Sequence, residues 1–586
     1  MEHIYNQAED QPSYESPSAG QVMSTKAKRH TPTSEPANDR RLPFVSTVLR
    51  YTPKKEIVVE RVLNLNEDLY LRDHLFVHAP DIKPLFACRP VMPMTFCLEA
   101  IAEVAACLTP GFGVIGFEDV KATHWIRMDD VETLVLRISA QLADYNPETV
   151  TYSITGTIFG ESEILPAVSA TVLLGQHYLQ TIAMEFEELI DPRPYPLKAE
   201  EIYRERHLFH GPAFQCVSGD MVLGDQGLTG ELTVLPKERL FATTKTPELL
   251  TDPIALDGAA QLLGLWGQNH NRYILPISIQ KLEIYCPTPP VGTRVPVRLQ
   301  ITDVTSRRVH ADIEIQDGTG HVWMRIRSWG DWIFHWTKKV FDFQRLPTKY
   351  VWTRDIYLPH LPQGSICQAI CTNDLREFDL RITAGYYLHM DESDTFSRMD
   401  NHPVRQREWL LGRIVAKDAV RLWLAQETAS DMLHPAIFVI ENDSQGQPVI
   451  KSISEFRVLP HISLAHSSDR AIAVASRYPT GIDLEFISHR DIIFLESFAT
   501  TKEQDFINGL PMDERDIWIT RLWCAKEAVS KTLGSGLSFR PQSFELHHVA
   551  PDGCITIHHN DSDRLFTVHT RQDQGFIIAY TMPQEI

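Results

Sequence analysis

No apolar run in the 586 residues comes near the roughly 20 that a helix needs to cross a bilayer. The first twenty residues, MEHIYNQAEDQPSYESPSAG, have neither a basic n-region nor an apolar core, so no secretory signal is expected. Basic residues are in deficit. With 56 Lys and Arg against 76 Asp and Glu, the net charge is −20, which argues against a general nucleic-acid binder. Cysteine is sparse and odd in number, nine in all, scattered from Cys88 to Cys554. The closest pair, Cys367 and Cys371, has no second pair to complete a zinc site. A reducing cytoplasm fits, with no membrane and no nucleic-acid partner. Residues 1–43 are rich in Ser, Pro, Glu and Asn and poor in large apolar groups, so a disordered leader is expected. A docking tail or remnant linker is the functional alternative for it. No D-S-[LM] carrier motif in a four-helix context is found.

What is present is an ordinary globular composition, 43% hydrophobic and 23% charged, long enough for two to four domains. Two runs near the C-terminus carry the most information. Gly481-Ile482-Asp483-Leu484-Glu485 reads as a strand whose period of two puts Asp483 and Glu485 on one face. Trp523-Cys524-Ala525-Lys526-Glu527-Ala528-Val529-Ser530-Lys531 reads as a helix with Lys526, Glu527 and Lys531 on successive turns. Three carboxylates beside two ammonium groups suit Mg²⁺ on a phosphate ester. Alone, each run also fits a solvated strand face or a salt-bridged helix surface. Together, in this order, the runs resemble the signatures of surfactin-type 4′-phosphopantetheinyl transferases, G-[IV]-D-[LIV]-E and [WF]-[CST]-x-K-E-[AS]-x-x-K.

That resemblance implies coenzyme A as co-substrate and a carrier-protein serine as acceptor. It implies Mg²⁺ held by Asp483, Glu485 and Glu527, with Glu527 taking the serine proton and Lys526 and Lys531 stabilising the phosphates. On the helix around residues 406–427, Arg413, Lys417 and Arg421 recur every fourth position, opposite Leu410, Leu411, Ile414 and Val415. The stripe reads either as a solvated cationic face or, by the resemblance, as the holder of the coenzyme A 3′-phosphate, with Lys417 best matched and Arg413 beside it. Pro460-His461-Ile462-Ser463-Leu464-Ala465-His466 resembles the family's S-x-S-H segment and implies that His466 meets coenzyme A phosphates.

Between Phe44 and Trp336 short alternating strands surround two buried helical stretches, Met94 to Leu108 and Ile254 to Gln268. One apolar helix wrapped by an antiparallel sheet, occurring twice, points to a duplicated α+β hot-dog unit. Asp257 is chemically odd. A carboxyl among Leu256, Gly258, Ala259 and Ala260 is expected to have a raised pKa and to stay protonated, as a general acid must. A helix-end or partly solvated carboxylate is the alternative. Gln261 lies at i+4 on the same face. Asp73-His74, His210-Gly211-Pro212-Ala213-Phe214 and Leu256-Asp257-Gly258-Ala259-Ala260-Gln261 resemble polyketide synthase dehydratase domains, which are double hot dogs. The resemblance implies His74 as base for a β-hydroxyacyl thioester and Asp257 as acid, with Gln261 and His210 in support. One departure stands out: His78 occupies the place of a turn glycine, and an insertion through Cys88 delays the helix-starting proline. Three readings follow: His78 as an alternative base, a rebuilt loop, or an impaired site.

The expected organisation is α+β: a double hot-dog dehydratase (44–190 and 191–337) followed by a two-lobed, pseudo-duplicated transferase (345–586), after the leader. The order resembles the C-terminal end of enediyne-type iterative polyketide synthases, with acyl thioesters as substrates and a homodimer by analogy. The chain reads as a megasynthase segment or a free-standing partner. The alternative is an active transferase whose double hot dog only docks or shapes substrates.

Overall fold

The computed structural model describes residues 42–581 apart from positions 80, 129, 161–162, 181, 184–185, 187, 376–378, 452–455, 535–539 and 551–552. The expected leader lies outside the described residues except for Leu42 and Pro43; Leu42 and the adjoining Phe44 are buried in the first core.

Strands from Thr47 to Phe334 form one 13-stranded antiparallel sheet, and its two halves meet where β1 (Gly113–Ala122) pairs with β2 (Tyr273–Ile284). Each half wraps one helix. In the first half this is α1 (Met94–Ala106), buried along its whole length and capped by Pro93. In the second it is α2 (Pro253–Asn269), which starts at Pro253 because Asp252 accepts the Ala255 N–H. This is the expected double hot dog. α1 and α2 also pack against each other, so one apolar core runs through both halves.

A short helix, α3 (Lys338–Arg345), leads into two further lobes. In the first, α4 (Leu380–Tyr387) and the long α5 (Pro403–Thr428) pack with a four-stranded sheet. In the second, α6 (Met512–Leu533) lies across a five-stranded sheet whose edge strand is β3 (Ile482–Phe486). Two lobes, each a sheet with one long helix, match the expected duplicated architecture. No helix among the described residues is long and apolar enough to cross a membrane.

The departure after His74 has a structural answer. The chain leaves at His74 and returns at Val91, whose N–H donates to the His74 carbonyl at 3.1 Å, while Leu75 bridges Pro90. The excursion between Leu75 and Pro90 thus closes on itself, and His74 stays paired with Val91 just before α1. Its apolar residues Leu75, Val77, Ala79 and Cys88 belong to the core of the first transferase-side lobe, with Phe343, Trp352 and Tyr387. The Tyr386 hydroxyl donates to the Phe76 carbonyl, and Lys83 Nζ donates to the Gly385 carbonyl at 2.6 Å. The loop is rebuilt as an interdomain anchor.

Candidate functional sites

The strongest cluster sits where the hot-dog halves face each other. His74 comes from the loop before α1, Asp257 from α2, and His210 from the turn that follows the second half's first helix. Among the described residues these are the only three such side chains whose ligand-type atoms lie within 4.8 Å of one another. The facing turns are pinned together: Gly211 N–H donates to the Asp73 carbonyl at 2.7 Å and Ala213 N–H to Asp73 Oδ2 at 3.0 Å. Gly211 is needed there, because a Cβ would lie 2.2 Å from Asp73 Oδ1.

His74 Nδ1 donates to the Val91 carbonyl at 2.8 Å, so the proton is fixed on Nδ1 and Nε2 keeps its lone pair. Burial, with the neighbouring His210 charge, pushes its pKa down to about 4, leaving the ring neutral at physiological pH. Phe76, Phe209 and Phe214 pack around it. Asp257 Oδ2 accepts from His210 Nε2 at 3.2 Å and from the Gln261 amide at 2.8 Å. Gln261 is fully engaged, donating also to the Phe214 carbonyl and accepting from the Tyr203 hydroxyl at 2.7 Å. Tyr203 carries no local sequence signal for this role.

The expected raised pKa of Asp257 is corrected here. Burial does push the carboxyl up, but the His210 ring beside it, with His74 and the Gln261 amide, brings it below its ordinary value. The sequence window around Asp257 is apolar; the opposing charge comes from a residue 47 positions away. His78 is half-buried, pushed down to about 4 by burial and the nearby Arg206, and does not line the cavity.

In the second lobe, the carboxylates of β3 face α6. Ile482 and Leu484 pack in a separate core between the lobes, whereas Asp483 and Glu485 point to the opposite face, as the period of two predicts. Lys531 Nζ donates to Asp483 Oδ1 at 2.7 Å and to the Ile482 carbonyl at 3.2 Å. Asp483 Oδ2 is buried with no hydrogen-bond partner. Burial first, then the neighbouring carboxylates, raises Glu485 and lifts Glu527 to about 7. An orphaned oxygen and mutually repelling hard donors fit a divalent cation such as Mg²⁺. The three are spread more widely than the His74 cluster. Ser467 and Arg490, which the sequence reading missed, reach Glu485 at 3.0 and 3.4 Å.

Three expected phosphate ligands, Lys417, Arg413 and Lys526, are elsewhere. Lys417 has no exposed surface. Its ammonium donates to the Tyr387, Pro435 and Phe438 carbonyls at 2.8, 3.0 and 2.6 Å and pairs with Glu392 at 2.6 Å. Arg413 and Arg421 are buried beside it, paired with Glu392 and Asp418. The stripe faces the lobe interior because carbonyl groups and acids from other elements complement it, which the helix alone does not reveal. Lys526 is likewise buried, on Glu503 at 2.8 Å and the Phe498 carbonyl at 2.9 Å, away from β3. His466 is exposed, on the sheet face it shares with Ile462 and Leu464.

Comparison with known proteins agrees with this division. Residues 184–329 match the family described as "Polyketide synthase dehydratase N-terminal domain", and residues 479–581 match the "4'-phosphopantetheinyl transferase superfamily". The chain thus carries a stretch that matches the polyketide synthase dehydratase family and, after it, one that matches the phosphopantetheinyl transferase superfamily. The dehydratase match covers the second hot dog, and the transferase match covers the lobe of β3 and α6. The chain is 30% identical over 132 residues to the 4'-phosphopantetheinyl transferase psf-1 of Bacillus pumilus, covering 22% of this chain and 54% of that protein. It is 27% identical over 135 residues to the 4'-phosphopantetheinyl transferase Sfp of Bacillus subtilis (strain 168), covering 23% and 58%. To a polyunsaturated fatty acid synthase polypeptide of a Thraustochytrium species it is 24% identical over 249 residues, 41% of this chain and 8% of that protein. The chain thus spans between 35% and 58% of the length of the transferases it matches. The dehydratase domain from the CurF module of curacin polyketide synthase aligns over 50% of this chain and 99% of its own, with 16% identity and a TM-score of 0.39.

Proposed function

We propose that this chain acts twice on phosphopantetheine chemistry, loading a carrier protein from coenzyme A and dehydrating β-hydroxyacyl thioesters on such a carrier. The transfer reading rests on the buried Asp483 oxygen that lacks a partner among facing carboxylates and Lys531. Asp483, Glu485 and Glu527 are the residues that would hold Mg²⁺, and the bound ion supplies charge neutralisation at the coenzyme A pyrophosphate. Glu527 takes the proton of the carrier serine hydroxyl. The serine oxygen bonds to the phosphorus that bears pantetheine, and the bond to 3′,5′-ADP breaks. Lys531 holds Asp483 in place, and His466, exposed on the neighbouring strand, is the group offered to coenzyme A phosphates.

The dehydration reading rests on His74 and Asp257, contributed by opposite halves and facing each other over one cavity. His74 Nε2 removes the α-proton. The Asp257–His210 pair gives a proton to the β-hydroxyl, the C–O bond breaks, the C=C bond forms and water leaves. The proton on His74 then returns to the pair.

Incubating the full chain with coenzyme A, Mg²⁺ and candidate apo-carriers, read by mass, tests the first reaction. The second is read as loss of water from a β-hydroxyacyl carrier. Asp483→Ala should abolish loading while dehydration persists; loss of both in a folded protein would sink the two-centre reading. The ionised state of Asp257 favours a second reading, in which only the transferase is catalytic and the double hot dog docks or shapes substrates. A folded chain that loads carriers but leaves β-hydroxyacyl carriers intact selects it.

A further inference from the structure

The cavity at His74 does not stop at the reacting groups. It continues along one face of α2 past Ala260, Gly264 and Gln268. From Asp257 to Gln268 the helix rises about 17 Å at 1.5 Å per residue. The face is kept low: a Cβ on Gly264 would meet nothing within 4 Å, so the glycine opens onto the channel rather than onto packed side chains. A mid-helix glycine costs roughly 0.5–1 kcal/mol relative to alanine, and no packing constraint here explains it. The two ends differ in chemistry. On the α1 side the wall is apolar, with Met94, Cys97, Ala122 and Val168. Around Gln268 it is polar and basic, with His207, Gln344, Arg345 and Arg206.

Arg206 is the unusual member. Its Nε is buried without a hydrogen-bond partner, and no carboxylate among the described residues pairs with its guanidinium. Its charged or titrating neighbours are the Tyr386 phenol and His78, and neither supplies an anion at neutral pH. A guanidinium remains protonated in proteins, so shielding one from water without a counter-charge is costly. Arg206 has φ +56° because it is the left-handed residue that closes the helix Ala199–Arg204, where His207 N–H donates to the Ile202 carbonyl at 2.8 Å. The residues on either side are tied to the connecting helix: Arg345 Nη1 donates to the Glu205 carbonyl at 2.8 Å and reaches His207 Nε2 at 3.4 Å. Arg345 itself is committed to Asp342 at 3.1 Å, which leaves Arg206 as the unpaired cation of this end.

We propose that Arg206 binds the phosphate of the phosphopantetheine arm, which lies along the Ala260–Gly264–Gln268 face with α3 as its outer wall, while the acyl chain occupies the apolar end. This rests on the dehydratase reading and adds to it a substrate subsite shared between the hot dogs and the connecting helix. The polar wall suits the amides of the arm, and the planar guanidinium fork suits a phosphate.

The test uses the full chain and calorimetry with stable analogues in which an amide replaces the thioester: hexanoyl-phosphopantetheine amide and hexanoyl-pantetheine amide without the phosphate. The phosphorylated analogue should bind at least tenfold more tightly, with the margin shrinking at high salt. Arg206→Gln should cut the ratio to below twofold, and Arg206→Lys should restore part of it. Gly264→Leu, which fills the channel on a helix-favouring side chain, should abolish binding of both; circular dichroism confirms that each variant is folded. Equal affinities in the unmodified protein overturn the proposal, as does a tenfold ratio that survives Arg206→Gln. A third probe, pantetheine amide bearing an ω-carboxylated acyl chain, overturns it if that ligand is the one Arg206 favours. Binding without a phosphate preference removes this inference alone. Failure of every analogue to bind removes the dehydratase reading with it.

Discussion

At the scale of single residues, the two centres depend on opposite uses of burial. His74 is kept neutral because burial drives its pKa to about 4, so a base is available across the physiological range. Activity needs the unprotonated ring. The acid limb of dehydration should therefore fall as pH drops through about 4, well below the ordinary 6.5 of histidine, and a kcat/KM profile shows which. His74→Gln should lower dehydration by about 10²- to 10⁴-fold, the usual worth of a positioned base, without affecting carrier loading. Glu527 moves the other way, up to about 7. In the proposed transfer its ionised form accepts the serine proton and holds the cation, so loading at limiting Mg²⁺ should rise as pH passes upward through about 7. A limb near the ordinary 4.5 would show that burial and the neighbouring carboxylates do not control it. His74, Asp257, Asp483, Glu485 and Glu527 could be singled out in the sequence because each sits in a short run with its own chemistry. The acidity of Asp257 was not legible there, since it is decided by His210, a neighbour only in three dimensions.

At the scale of elements, period alone could not say where a polar stripe points. The residues of β3 followed the rule, because one face of that strand meets an apolar core between the lobes. The Arg413–Lys417–Arg421 stripe is neither the solvated face nor the open phosphate holder that its spacing offered, because α5 is enclosed and each cation finds an acid or a carbonyl within the lobe. Lys417→Met separates the roles. Leaving Glu392 buried without its ammonium should destabilise the first lobe by about 3–5 kcal/mol, seen as a lower melting temperature. A raised KM for coenzyme A with an unchanged melting temperature would instead restore the phosphate-binding role. On α2, Gly264→Ala should stabilise the dehydratase region by about 0.5–1 kcal/mol, read as a higher denaturant midpoint, since the added methyl enters open space.

At the scale of the whole molecule, the double hot dog was readable from two apolar helices each set among strands. The join between regions was not, because residues 75–90 look in sequence like a damaged catalytic loop. In space the excursion closes on itself at His74 and Val91 and buries its apolar side chains under α4 and α5. Cutting the chain at residue 337 should therefore expose Leu75, Val77, Ala79 and Cys88 and yield an aggregating dehydratase. In calorimetry of the intact chain, the dehydratase and the first lobe should melt as one cooperative unit. Two well-separated transitions for them would show the anchor to be weak.

Domain boundaries normally fall along seams that few contacts cross. The seam drawn by the reaction boundary here passes straight through the anchor made by residues 75–90. A dehydratase lifted out at that boundary would leave with an open flank, and a foreign one inserted there would find the first lobe missing part of its core. The smallest portable piece of this protein that keeps the His74–Asp257 site closed is therefore longer than the double hot dog.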